Sequence, residues 1–116
     1  MDEAAHAFRK SRIDLLKFFA SAEKQRNFQS EVCRSDGYAF DEFICWWVDD
    51  FHPESNLFSS AFNAKEVAVL TSFNVTFEHA LSKIGDRVAN VERLLSLPAW
   101  QAVMAAALVA YAALEP

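Results

Sequence analysis

The chain has 116 residues, 53% of them hydrophobic, with two cysteines and a formal net charge of −5. That length suits one compact domain around one core, and the acidic balance argues against general binding to nucleic acid or anionic membranes, which needs a surplus of Lys and Arg. Cys33 and Cys45 set no disulfide framework and are expected as free thiols.

Gly37 and Gly85 are the only glycines, and each falls where a helical pattern ends, which predicts an all-α fold. The whole of residues 1–116 reads as a single helical domain, a bundle of about four to six helices with a buried, Ala-rich C-terminal helix. A first helix is expected from Glu3 to Glu23, where Phe8, Arg12, Leu15, Phe19 and Ala22 recur at three- and four-residue steps. Residues 27–34 either extend it or form a short second helix, after which Gly37 supplies a left-handed turn.

The next helix is placed over Phe40 to Asp50, ending before Pro53, because the residue before a proline is pushed out of helical geometry; His52 then lies in a loop. Asn63 and Glu66 have capping-box spacing. They introduce the clearest periodic run, in which Val67, Leu70, Phe73, Asn74, Phe77, Leu81 and Ile84 share one face and Gly85 closes the helix. A short helix over Asn90 to Leu95 follows, and Pro98 in the first turn starts a last helix reaching Leu114. Its apolar stripe is Trp100, Val103, Met104, Ala107, Leu108, Tyr111 and Leu114. The apolar stretch from Ala102 to Leu114 is shorter than the roughly 20 residues a bilayer requires. The opening MDEAAH has no basic stretch leading an apolar run, so a cytoplasmic location is expected.

Between Asp36 and Glu54, the segment DGYAFDEFICWWVDDFHPE holds six acids, no Lys or Arg, and a dense set of aromatics. At 100° per residue Phe40, Phe43, Ile44, Trp47 and Phe51 gather on one side of the helix and Glu42, Cys45, Trp46 and Asp49 on the other. An outward tryptophan flanked by carboxylates has the anatomy of an interface anchor with an electrostatic rim. Asp36, Asp41, Glu42, Trp46, Asp49, Asp50, His52 and Glu54 are therefore the candidate partner-binding residues, and the partner they suit is a basic protein. Two alternatives keep this surface occupied: a segment such as residues 56–62 covers Trp46, or the basic first helix, rich in Arg9, Lys10, Arg12 and Lys17, contacts the acids within one molecule or across a homodimer.

Other chemistries find less support. His52 between Asp50 and Glu54 could be an oriented general base, but no nucleophile motif, phosphate-cradling glycine loop or HExxH pair accompanies it. No catalytic residues, cofactor or metal are assigned. Cys33, Cys45, His52 and His79 lack the short spacings of structural zinc sites, and His79 falls opposite the apolar stripe of its helix. A helix-turn-helix reading fails on charge, since the helix after Gly37 is acidic and would repel phosphate.

The stretch WWVDDFHPES resembles the aromatic, acidic Phe-His-x-Asp segment of some small immunity proteins from contact-dependent growth inhibition and related polymorphic toxin systems, with Pro53-Glu54-Ser55 in place of an aspartate followed by tryptophan. The resemblance implies a non-catalytic cytoplasmic protein that binds a toxin domain, often a basic nuclease, and blocks it. A helical regulatory or DNA-associated protein is the alternative reading, and a small enzyme using His52 with its neighbouring carboxylates is the third.

Overall fold

Asp2 begins the first helix by accepting the Ala5 N–H on Oδ1 at 2.8 Å, which satisfies one of the donors a helix start leaves free. In the computed structural model, which describes residues 2–32, 38–85 and 87–114 and only the backbone of Tyr38, seven helices follow in order. They are α1 (Glu3–Phe19), α2 (Ala22–Glu31), α3 (Tyr38–Val48), α4 (Asn56–Ala61), α5 (Ala64–Ile84), α6 (Val91–Leu95) and α7 (Pro98–Leu114). The all-α expectation holds, and no strand occurs among the described residues. The count exceeds the expected four to six, and the reasons lie in particular side chains. Cys33, Asp36 and Gly37 fall outside the described residues.

The single helix expected over Glu3 to Glu23 is broken at Ala20. Ser21 adopts extended backbone and accepts the Lys24 N–H, starting α2 afresh. Gln25, fully buried, fixes the corner: its Nε2 donates to the Phe19 carbonyl at 3.0 Å while its Oε1 accepts the Trp100 indole N–H at 2.9 Å. Both ends of a buried amide are thus paired, as burial requires. The α4 helix is the other addition, in a segment where no helix was expected; Ser55 accepts the Phe58 N–H and so caps it.

The Asn63–Glu66 capping box forms as expected, with Asn63 Oδ1 accepting the Glu66 N–H at 2.9 Å and Glu66 Oε1 accepting the Asn63 N–H at 3.0 Å. Gly85 at φ 84° ends α5, a backbone angle that favours a residue without Cβ. Leu70, Phe73 and Phe77 of α5 are buried, joined by Ala80, and α5 makes its most extensive contact with α7. In α7 the buried residues are Trp100, Val103, Ala107, Ala110 and Leu114. Leu108, placed on the stripe by sequence, is 59% exposed. It lies about 120° around the helix from the centre of the buried face, whereas Ala110 lies about 40° from it.

The α1 helix packs on α7 and α4, and α2 packs on α6. Phe19, Phe43, Trp47, Phe73, Phe77 and Trp100 form the buried aromatic centre. Their rings meet edge-on, tilted and stacked, among them Phe40 against Trp100 at 90° and Phe19 on Phe73 at 20°. Arg9 closes the periphery: it grips both oxygens of Glu66 at 2.9 and 2.7 Å and donates to the carbonyls of Ala61 and Leu114. One guanidinium therefore ties α1 to α4, α5 and α7.

Candidate protein-binding surface

The acidic helix begins at Tyr38 and ends at Val48, two residues earlier at each end than expected, so Asp49 and Asp50 stand in the turn that follows. The Asp49 N–H still reaches the Cys45 carbonyl at 3.0 Å, and the chain then bends through His52 toward Ser55, whose N–H donates to the His52 carbonyl. Phe40, Phe43 and Trp47 face inward and are buried, with Trp47 at 0% exposure. The Trp47 indole N–H donates to Asn74 Oδ1 at 2.8 Å, which accounts for a polar residue on the apolar face of α5.

The opposite face of α3 presents Asp41, Glu42, Cys45 and Val48, all exposed, and the turn adds Asp49, Asp50, His52 and Glu54 in the same state. Five of the six candidate carboxylates are thus placed at the surface; Asp36 lies outside the described residues. Asp41, Glu42 and Asp49 have no basic partner among the described residues. Asp50 does: Arg12 Nη2 approaches it at 3.4 Å, so the contact between the first helix and the acidic segment exists within one molecule. The same guanidinium donates to the Trp46 carbonyl at 2.8 Å and lies over the Phe8 ring. Burial lowers the affinity of Arg12 for its proton, and the Asp50 charge acts against that.

Trp46 departs from the outward orientation expected of it. Its ring is half-buried, packed edge-on against Phe28 at 4.8 Å and Phe18 at 5.4 Å and tilted against Phe43 at 5.5 Å. The cover comes from α1 and α2, not from residues 56–62; there Phe58 packs on Phe8, Phe51 and Phe62 instead. The periodicity of α3 places Trp46 correctly at the border of its outer face, but the fold brings Phe18 and Phe28 up to that border. Only the break between α1 and α2 could have signalled this, and Ser21 is its one local mark. Val48, 45% exposed, borders the other edge of the acidic face and escaped the sequence reading.

His52 is exposed, with Nε2 2.9 Å from the Asp49 carbonyl and Nδ1 3.8 Å from Glu54. A carbonyl can only accept, so Nε2 carries the proton in that contact. The ring is thereby held by its own turn. Among the described residues no three His, Cys, Asp or Glu side chains are grouped as metal ligands, and no helix is long and apolar enough to cross a membrane. Comparison with protein-family models, curated proteins and solved structures finds no match to this chain.

Proposed function

We propose that the protein is a non-catalytic binding protein that captures a basic protein partner on the outer face of α3 and the turn after it, in its sharpest form an immunity protein that neutralises a toxin domain. The observation that carries this reading is the set of exposed carboxylates at Asp41, Glu42, Asp49, Asp50 and Glu54, of which, among the described residues, Asp50 alone meets an arginine. Unpaired carboxylates on one helix and its turn steer a cationic surface toward them and raise its association rate. The uncovered edge of Trp46 and the exposed Val48, on opposite borders of that face, supply apolar contact once the partner has arrived.

The cations of the first two helices support this reading over the DNA-associated one. Arg9 pairs with Glu66, Lys10 with Asp14, Arg12 with Asp50 and Arg26 with Glu92, which removes much of the basic charge a phosphate backbone would need. The test of inhibition is a titration of the captured partner's own activity. Complete loss of that activity at one equivalent of this protein supports neutralisation; full activity at saturation makes the protein an adaptor.

A further inference from the structure

A second surface has the opposite chemistry. Between the C-terminal half of α5 and the start of α7, bridged by α6, lies a groove of about 580 Å³. Its polar rim includes His79 and Lys83 from α5 and Arg93 from α6, and its apolar walls include Ala80, Ile84 and Leu97. Among the described residues no carboxylate lines it, in a chain whose net charge is −5. The rim cations are exposed, Ala80 is buried, and Ile84 and Leu97 are half-buried, so the groove is wet at its mouth and apolar at its floor.

The two groove cations are open to an outside anion, as are Lys17, Lys24, Lys65 and Arg87, which likewise have no carboxylate partner among the described residues. Arg9, Lys10, Arg12 and Arg26 each have a carboxylate partner, whereas Lys83 and Arg93 have none among the described residues. Glu92, beside Arg93 in sequence, is turned away to Arg26. Volumes of about 300 to 1,000 Å³, mostly apolar walls and a few convergent polar groups are the usual features of a small-molecule site. Lys83 and Arg93 together can hold a carboxylate or phosphate through charge-assisted hydrogen bonds.

We propose that the α5–α6–α7 groove binds a small amphipathic anion, with the carboxylate or phosphate head held by Lys83 and Arg93 and an apolar body lying on Ala80, Ile84 and Leu97. This site is separate from the acidic face of α3 and stands whether or not that face binds a protein.

The test is calorimetric titration of the full chain with octanoate, octyl phosphate and 1-octanol, with amide chemical shifts followed in parallel. Saturable one-site binding of at least one of the two anions is expected, with shifts at Ala80, Ile84 and Leu97; the tighter anion identifies the head group. Binding of 1-octanol is expected to be at least about tenfold weaker, and the double variant Lys83→Gln, Arg93→Gln to lose about tenfold or more in affinity. Lys65→Gln, an exposed change at the other end of α5, is the control for net charge and is expected to bind as the parent does. Circular dichroism confirms that each variant is folded. Absence of saturable binding by both anions, equal affinity for 1-octanol, or unchanged affinity in the folded double variant would each overturn the proposal.

Discussion

Arg12 Nη1 donates to the backbone carbonyl of Trp46 at 2.8 Å, so a buried cation from α1 anchors the last turn of the acidic helix. The same side chain meets Asp50 at 3.4 Å, but Asp50 remains 58% exposed while the Arg12 side chain is 9% exposed. The two partners therefore contribute unequally.

Arg12→Ala is expected to lower unfolding free energy by about 2 to 3 kcal/mol, through the lost hydrogen bond from a charged donor and the lost packing of its aliphatic stem. Asp50→Asn is expected to cost less than about 1 kcal/mol, since its carboxylate is largely in water. Urea denaturation of both variants measures the difference; equal losses would mean that the ion pair, not the carbonyl contact, does the anchoring.

Trp47 is fully buried and its indole N–H is paired with Asn74. Trp47→Ala is expected to cost about 3 to 5 kcal/mol from the cavity alone. Asn74→Leu removes the acceptor and leaves the indole N–H unpaired, a loss of about 1 to 3 kcal/mol. Thermal and chemical unfolding check both values, and near-parent stability for Trp47→Ala would contradict the inward phase of α3.

Glu66 gives the fold an acid-sensitive joint. The hydrogen bond from Arg9 holds its carboxyl below the usual range, helped by the Asn63 N–H, while partial burial opposes them. A depressed folded pKa means that the stabilisation is fully present above the unfolded pKa of about 4.3 and is lost as pH falls through the folded value. Stability of the parent is therefore expected to fall below about pH 5 more steeply than that of Glu66→Gln, whose side chain does not titrate. Denaturation midpoints from pH 7 to pH 3 provide the comparison; parallel curves would contradict it.

Much of this architecture was legible because its signals are local. Asn63, Glu66, Gly85 and Pro98 mark helix ends by chemistry within four residues, and each sits where expected. The break at Ala20 and Ser21 was not legible, because what fixes that corner is the buried Gln25 bridging Phe19 to Trp100, a residue 75 positions away. The acidic face of α3 was visible as a helical pattern, and Glu42, Cys45 and Asp49 are exposed as it required. How far Trp46 is covered was not, since Phe18 and Phe28 reach it only through tertiary packing. The groove at Lys83 and Arg93 is built from three helices and could not be read from any one of them alone.

The acidic face predicts a kinetic signature with a basic partner. Neutralising Asp41, Glu42 and Asp49 together is expected to slow association by about tenfold at low salt, with little change in dissociation, and the difference should shrink as added salt shortens the screening length toward 3 Å at about 1 M. Stopped-flow or surface-based kinetics across a salt series would read this; an effect confined to dissociation would place these acids in close contact instead of at the rim.

The most direct measurement is capture at low salt from the native host, using the parent and a folded Asp41→Asn, Glu42→Gln, Asp49→Asn variant, with Asp50 left intact because it contacts Arg12. The parent is expected to retain one basic protein that the variant loses. Equal capture by the two proteins, or capture of nothing by the parent, would contradict the assignment of α3 and its following turn as the binding surface.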